Sequence, residues 1–227
     1  EIHERLVGSE MCIRDRGYFT YLKEFKGGHS LNAVAGYSYF EKNGENFNAE
    51  NYDFGVEGLK YWDLESGSYL TDGKAKMGSK KDITERLFAL YARANYSYND
   101  KYMVTATIRH EGSSKFAAEN RWGNFWSVGL GWLMNKESFL QNTSWIDMLK
   151  FKISYGAQGN DNIGNYYAYL DQYTVSNSNN DFALALSYKG NKDITWETSH
   201  SFNTGFDFEF FKGRLSGTVE YFSRKTT

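Results

Sequence analysis

Hydrophobic and polar residues alternate with a period of two along most of the chain. The segments with this pattern are 31–39, 90–98, 102–111, 125–134, 150–157, 202–210 and 214–221. In a strand, a period of two places one set of side chains on one face and the other set on the opposite face. Residues 17–26 are also predicted as a strand, although their phase is ambiguous. The sequence therefore predicts about eight strands and no long helix.

The connections between these strands differ in length in a regular way. The short ones, 26–28, 99–101 and 212–213, contain the Gly, Asn and Asp residues that hairpin turns require. The long ones are 42–83, 112–124 and 158–195, and segment 135–148 is an intermediate case predicted to carry a helical turn. Because short and long connections alternate, the short ones lie at one end of an all-β antiparallel meander. Short turns at one end and long loops at the other are typical of outer-membrane barrels.

The two faces of the strands leave two architectures open. A secreted β-sandwich turns its apolar face inward, whereas a membrane barrel turns it toward lipid. His110 is the one ionisable residue on the predicted apolar faces, and it stands at a strand end. Tyr96, Tyr98, Tyr102 and Phe210 also lie at strand ends, as expected for the aromatic girdles of a barrel. The pattern favours the barrel over the sandwich.

The amino-acid composition further narrows the classes of protein to which the chain can belong. The 227 residues carry 26 Lys and Arg against 28 Asp and Glu, a net charge of −2, which argues against a nucleic-acid partner. The chain has no proline, and 18% of its residues are aromatic, which fits long sheets with polar turns. No apolar run reaches the length of a transmembrane helix. A single cysteine, Cys12, excludes an internal disulfide.

The first sixteen residues differ from the rest. They read EIHERLVGSEMCIRDR, are rich in charge, and lack the apolar core of a secretion signal. They resemble translated adaptor sequence, so residues 1–16 are predicted to be a non-native leader and residues 17–227 to be the barrel segment. The alternative is a short native helix or tail.

Several short motifs follow one another in a fixed order. They are YARANYSYNDKY (91–102), TATIR (105–109), GSSKF (112–116), NRWG (120–123), SVGLGW (127–132), LKFKISYG (149–156), GN (159–160), IGNY (163–166), WET (196–198) and GTVEYF (217–222). In this order and spacing they resemble the SusC/RagA-type TonB-linked outer-membrane proteins, that is, TonB-dependent receptors. The resemblance covers about residues 85–225, with weaker agreement upstream to residue 17.

The resemblance implies a fold and a set of partners. It implies a 22-stranded barrel preceded by a plug domain, in the outer membrane of a Gram-negative bacterium. It also implies a SusD-like surface lipoprotein as a lid, energy from the TonB complex, and import of oligosaccharides or, in some members, peptides. The chain shows no signal peptide, TonB-contacting motif or plug, so we expect an internal segment of about eight strands surrounded by outer-membrane lipid.

No motif in the sequence points to catalysis. The acidic residues form no pair with the spacing of a glycosidase, which counts against a glycan-cleaving enzyme on an all-β scaffold. His29, His110 and His200 are scattered and lack metal-ligand spacing. The run Asn160-Asp161-Asn162 is interpreted as a turn because it lacks the Gly and Glu of a calcium loop. We therefore expect no enzyme activity, no catalytic or metal site and no cofactor.

Two groups of residues are candidates for binding. Tyr61, Trp62 and Tyr69 lie in the loop 42–83, where aromatic rings can stack on sugars or contact a lid. The alternative is that these rings pack the loop against the rim of the barrel. The second group is predicted to face the lumen, where it lines a passage or touches the plug, or is simply solvated. It consists of Arg93, Arg109, Asp207 and Glu209.

Overall fold

Strands dominate the fold. The computed structural model describes residues 10–55, 62–178 and 181–227. The strands are β1 (Glu10–Phe25), β2 (His29–Glu50), β3 (Lys76–Tyr98), β4 (Tyr102–Ser113), β5 (Trp122–Leu133), β6 (Ile146–Asn160), β7 (Gln172–Ser178), β8 (Asp181–Tyr188), β9 (Glu197–Phe210) and β10 (Leu215–Thr226). The helices of the described residues are single turns: 3-10 helices at Leu64–Ser66 and Met134–Lys136, and α1 at Ser68–Thr71.

Eight of the strands form one open sheet. Its order is β1-β2-β3-β4-β5-β6-β9-β10, and β7 pairs with β8 in a separate two-stranded sheet. The pairs of the large sheet from β3 to β10 are antiparallel. The predicted all-β antiparallel meander of about eight strands is therefore confirmed, with β7 and β8 inserted between the neighbours β6 and β9.

Two of the three predicted short turns have the backbone conformations that their residues predict. Asn99 and Asp100 both have a φ of 49°, and Gly27 and Gly28 have φ values of 86° and 80°. These left-handed conformations are the ones that Gly, Asn and Asp adopt at low cost, and they match the twist of paired strands. These two turns are thus fixed by local sequence. At the third, after β9, Phe211 and Lys212 also have a φ of 58°, which their residue types do not predict.

Two of the predicted long connections differ from the expectation, one in its length and the other in its content. Strand β2 continues to Glu50 and β3 begins at Lys76, so the loop predicted over 42–83 spans residues 51–75. The connection predicted over 158–195 contains the hairpin of β7 and β8. These boundaries were wrong because polar residues dominate both extensions of β2 and β3, and because the hairpin lies within an otherwise polar loop.

Strand β1 begins inside the predicted leader. It starts at Glu10 and includes the exposed Cys12. A strand can form from any sequence that pairs with a neighbour, so its presence does not decide where residues 1–16 come from. The non-native origin of that segment stays a prediction.

The chain divides into two compact units. In the described residues, one unit contains residues 10–14 and 40–86, and the other contains residues 15–39 and 87–227. The second unit holds β4–β10 whole, together with parts of β1, β2 and β3.

Few side chains are buried. The buried hydrophobic residues of the described chain are Ala89, Phe116, Ala117, Phe125, Ala168 and Trp196. A β-sandwich buries the inner faces of two packed sheets along their length. One eight-stranded sheet with so small a core does not have that architecture, so the sandwich alternative is wrong.

Candidate functional site

The strand register gathers the predicted apolar sets on a single face. Residues directly opposite each other in an antiparallel pair point to the same side of the sheet. Val104 is opposite both Tyr96 and Leu130, and Leu130 is opposite Ile153. The row continues from Ile153 through Thr204 to Tyr221. Parallel rows contain the other predicted members, so β3, β4, β5, β6, β9 and β10 share one apolar face.

This apolar face is exposed in the described chain. Leu130 keeps 50% of its surface accessible, Ile108 57% and Val219 64%. Soluble proteins rarely leave such a continuous apolar surface open to water. The face is the surface that a lipid bilayer would cover.

Aromatic side chains concentrate where this face meets the short turns. The rings of Tyr98 and Tyr102 stack, with their centroids 6.4 Å apart, on either side of the turn at Asn99. The ring of Trp145 packs edge-on against Phe210 at 5.2 Å, beside the turn that follows β9. Aromatic belts of this kind mark the interfaces of membrane barrels.

Glu137 connects three groups at the same end of the sheet. Its carboxylate accepts hydrogen bonds from the Tyr102 hydroxyl at 2.6 Å, the Trp132 indole N–H at 3.0 Å and the Lys101 ammonium at 3.2 Å. These bonds, the one from Tyr102 first, lower the pKa of the Glu137 carboxyl below its ordinary value. Glu137 follows the 3-10 helix Met134–Lys136, so this turn is held against the ends of β4 and β5.

The opposite face of the sheet is polar and carries the four residues predicted to face the lumen. Arg109 donates two hydrogen bonds to Glu111, at 2.7 and 2.6 Å, from the next position on the same face of β4. Arg93 is opposite Thr107, and Glu209 is opposite Ser216. The structure places these residues on one face but does not gather them into one cluster. Their role in the lumen stays a prediction.

Asp207, the fourth of these residues, belongs to an ion-pair network across three strands. The Lys152 ammonium of β6 lies 2.8 Å from the Asp207 carboxylate of β9 and also contacts Glu220 of β10. The Thr218 hydroxyl donates to Asp207 at 2.9 Å. Gly205 lies opposite both Lys152 and Glu220, and a side chain at this position would meet the Glu220 side chain and the backbone of β10.

Two recesses open on the polar face. One, of about 410 Å³, is lined by Lys150, Lys152, Ser154 and Asn203 among others. The second, of about 480 Å³, is lined by the Arg109–Glu111 pair and glycines of β5 and β6. Both are polar depressions in a sheet surface, and neither brings together the groups of a catalytic site.

The aromatic loop candidates have different surroundings. Tyr61 lies outside the described residues. Trp62 is 77% exposed. The Tyr69 ring packs against Tyr52 at 5.2 Å and lies under the Lys74 ammonium, also at 5.2 Å. Tyr69 therefore packs within its own loop, and Trp62 keeps the exposure that a ligand contact needs. The roles of these residues as substrate or lid contacts stay predictions.

Asn51 organises this loop from a buried position. Its side-chain amide donates to the carbonyl oxygens of Leu64 at 2.7 Å and Gly67 at 2.8 Å. Its side-chain oxygen accepts from the Tyr52 N–H at 2.9 Å. A fully bonded buried amide fixes the path of the loop on both sides of Trp62.

A small core joins the connections at the long-loop end of the second unit. Phe116, Phe125 and Trp196 form it, with the Trp196 ring 5.3 Å from Phe116 and 5.2 Å from Phe125. The Trp196 indole N–H donates to the Arg121 carbonyl at 2.9 Å. Beside this core, Asp161 accepts from the Ser113 hydroxyl at 2.8 Å.

The β7–β8 hairpin is fixed at its root. Asp171 accepts from the Lys189 ammonium at 2.9 Å and from the Gly190 N–H at 2.8 Å. These hydrogen bonds, the one from Lys189 first, lower the pKa of the Asp171 carboxyl. Beyond this root, Tyr173, Val175 and Leu184 leave their side chains exposed.

The structure also adds two residues to the apolar face that the sequence interpretation omits. His200 is opposite Ala157, and Lys225 is opposite His200. Both lie beyond the predicted ends of β9 and β10. The alternation Tyr221, Ser223, Lys225 continues the apolar face, but a polar residue at its end is easily assigned to a loop.

A metal-binding cluster and a membrane-crossing helix are both missing from the described residues. No group of three or more His, Cys, Asp or Glu side chains is arranged to hold a metal ion there. Nor does that part of the chain contain a helix with the length and apolarity to cross a membrane.

Comparison with known proteins decides the family. The model of the family described as TonB dependent receptor-like, beta-barrel, matches residues 10–227. The chain belongs to this family. TonB-dependent receptors are outer-membrane β-barrels of Gram-negative bacteria, and they are transporters rather than enzymes.

Individual relatives of this receptor segment agree with the resemblance seen in the sequence. It is 34% identical to the TonB-dependent receptor SusC of Bacteroides thetaiotaomicron over 162 residues, which are 68% of this chain and 16% of SusC. It is 33% identical to the TonB-dependent receptor P39 of Formosa agariphila over 94% of this chain and 20% of P39. The chain thus spans about a fifth of the length of these curated relatives.

Solved structures give the same result for the fold. The structure of the RagAB peptide transporter matches 96% of this chain and 24% of its own, with a TM-score of 0.85 and 26% identity. The RagAB peptide importer in its 'open-open' state matches with a TM-score of 0.81. The recognition of a SusC/RagA-type receptor and the barrel fold class are confirmed.

Proposed function

We propose that this chain forms part of the wall and external loops of an outer-membrane importer. The complete receptor takes up a nutrient through its barrel, with energy from the TonB complex. The transport step involves binding, opening and passage, and no covalent bond changes. The residues of the polar face border the passage, and the apolar face contacts outer-membrane lipid.

One observation carries the proposal. The register places an exposed apolar face and an ion-paired polar face on opposite sides of a sheet that matches the RagAB peptide transporter over 96% of the chain. A lipid-facing exterior and a polar interior are what a barrel wall needs. The register is independent support, because it follows from hydrogen bonds rather than from likeness to any relative.

The proposed substrate is an oligosaccharide or a peptide. SusC is among the relatives, and the similar solved structures include a peptide importer. In this chain, the exposure of Trp62 supports a contact with a sugar ring or with a partner at the surface, because an exposed aromatic side chain presents apolar area and a polar N–H together. Tyr61, its neighbour, is proposed to contribute with it. Tyr69 is proposed to hold the loop in place through its contact with Tyr52.

The proposed partners are a SusD-like surface lipoprotein and the TonB complex. The lipoprotein covers the external loops and delivers substrate to the barrel. TonB acts through parts of the receptor outside this chain, so the residues described here affect coupling to TonB only by way of the barrel wall.

The test uses the bacterium that encodes the complete receptor. We expect its deletion to abolish uptake of a labelled oligosaccharide or peptide pool, and inactivation of TonB to have the same effect. An affinity-tagged receptor is expected to capture a surface lipoprotein from detergent-solubilised outer membranes. Unchanged uptake of both pools after deletion would contradict the proposal.

The loop contact is tested separately by complementing the deletion. We expect Trp62→Ala to reduce uptake several-fold, and Trp62→Phe, which keeps an aromatic ring, to restore most of it. Tyr69→Phe is the matched control, because it keeps the ring that packs against Tyr52. Equal uptake in the wild type and Trp62→Ala would remove Trp62 from the contact surface without affecting the importer proposal.

A further inference from the structure

Lysine and histidine side chains interrupt the apolar face of β4, β5, β6, β9 and β10 at one end only. Lys225 of β10 is directly opposite His200 of β9, and His110 of β4 stands on the same face three strands further along the sheet. All three lie toward the end with the long connections. The remaining positions of this face in β4, β5, β6, β9 and β10 carry no carboxylate.

Aromatic groups surround the two histidines. The Tyr155 hydroxyl lies 3.4 Å from the Nδ1 of His200, and the two rings stack with centroids 6.3 Å apart. The Trp126 ring packs edge-on against Tyr155 at 5.7 Å. At His110, the Trp122 ring stacks at 4.7 Å. This end of the apolar face therefore carries aromatic side chains with polar groups, which prefer a membrane interface.

The energetic cost of a charge in the bilayer limits how deep a lipid-facing lysine can lie. Its cost falls from about 2–4 kcal/mol at the middle of the bilayer to about 0–1 kcal/mol near the interface. Lys225 is exposed, and its neighbour in sequence, Arg224, points to the polar face, where it donates to the Ser201 hydroxyl at 3.3 Å. Lys225 consequently marks the level at which the hydrocarbon ends, with its ammonium in the headgroup layer.

We propose that Lys225, His200 and Tyr155 form a binding site for the phosphate of an outer-leaflet lipid. The long connections of an outer-membrane barrel face the exterior, so this end of the sheet lies in the outer leaflet. The site is continuous with the apolar face that takes the acyl chains. Lys225 supplies a positive charge, and the bonded pair of Tyr155 hydroxyl and His200 imidazole keeps one further hydrogen-bond donor for a phosphate oxygen. The absence of carboxylates on this face in the described strands β4, β5, β6, β9 and β10 leaves that charge available for an anion.

The site rests on the membrane location in the proposed function but not on transport. A receptor that assembles in the outer membrane and imports nothing would refute the importer and leave the lipid site standing. An active importer that retains no phosphorylated lipid at these residues would refute the lipid site and leave the importer proposal standing. The two proposals therefore fail separately.

The experiment uses the complete receptor purified in mild detergent. Bis-phosphorylated lipid A is added, and the lipid retained per receptor is counted by native mass spectrometry. We expect Lys225→Gln to weaken retention about fivefold, as one lysine near a membrane surface does. The double variant with His200→Gln is expected to lose more. Lys225→Arg keeps the charge and is expected to retain the lipid.

Arg224→Gln is the matched control, because it removes a positive charge one residue away on the other face. Every variant is first checked for the heat-modifiable migration of an assembled barrel. Equal retention by the wild type and the double variant would overturn the proposal, as would equal losses in Lys225→Gln and Arg224→Gln. Lipid A without phosphates retained as strongly, or displacement by millimolar inorganic phosphate alone, would also contradict a site for lipid-borne phosphate.

Discussion

The Lys152 ammonium lies 2.8 Å from the Asp207 carboxylate, although the two residues belong to different strands. The same ammonium contacts Glu220 on a third strand. One lysine thus connects β6, β9 and β10 on the polar face. Because its partners lie on separate strands, this network forms only when the three strands pair in the observed register.

Removing Lys152 should weaken the assembled barrel modestly. In Lys152→Met, Asp207 and Glu220 lose the cation that they share, and we expect a loss of up to about 1 kcal/mol for a partly exposed pair. The measurement is urea unfolding of the complete receptor in vesicles. A double-mutant cycle with Asp207→Asn isolates the coupling between the two side chains. A coupling of zero would mean that the contact does not stabilise the fold.

The assignment of the two faces predicts unequal effects of a charge on neighbouring residues. Leu130→Arg or Val104→Arg places a cation on the lipid side, at a cost of about 2–4 kcal/mol near the middle of the bilayer. Thr105→Arg, next to Val104 but on the polar face, should be tolerated. Heat-modifiable receptor in purified outer membranes measures assembly. Equal losses of assembled receptor in Val104→Arg and Thr105→Arg would contradict the assignment of the two faces.

The sequence predicts the parts of this fold that depend on local chemistry. The alternation through Val104 and Leu130 is visible in the sequence, because every second side chain of a barrel strand faces lipid and the others face the polar lumen. The turn at Asn99 and Asp100 can also be read, since few residues adopt its left-handed conformation. The pairing of Arg109 with Glu111 follows from two residues on the same face of one strand.

Other features depend on information that is not local. The contact between Lys152 and Asp207 needs the register between β6 and β9, which are separated by a long connection. The extension of β2 to Glu50 carries no alternation, because polar residues occupy both faces there. The β7–β8 hairpin is different, since Phe182, Leu184 and Leu186 do alternate and the loop assignment overlooks them. Lys225 is missed because a cation at the end of a strand looks like the start of a loop.

The small core at Trp196 should hold the external connections of the second unit in place. Trp196→Ala removes a buried ring from contact with Phe116 and Phe125, and such truncations cost about 3–5 kcal/mol. Because the core lies in the connections, we expect local opening rather than failure to assemble. The rate of protease cleavage of the receptor on intact cells measures this local opening. Trp62→Ala, in an exposed position, is the control and should leave cleavage in these connections unchanged.

Glu137 should make the turn after β5 sensitive to acid. Hydrogen bonds from Tyr102, Trp132 and Lys101 stabilise its ionised form and lower its pKa from the ordinary value of 4.5. A group whose pKa is lower in the folded state adds stability above its ordinary pKa and loses that contribution as the pH falls through the lowered value. Between pH 7 and pH 5 we therefore expect no change, and at pH values below about 4 the turn should loosen.

The fluorescence of Trp132 follows this transition, because its indole N–H donates to Glu137 at 3.0 Å. Emission from the complete receptor is compared with that of a Trp132→Phe variant, so that the difference isolates this residue. In Glu137→Gln the amide cannot ionise, and the acid-dependent part of the Trp132 signal should disappear while the signal at neutral pH already resembles the loosened turn. A Trp132 signal that changes with acid equally in the wild type and in Glu137→Gln would show that another group controls the turn.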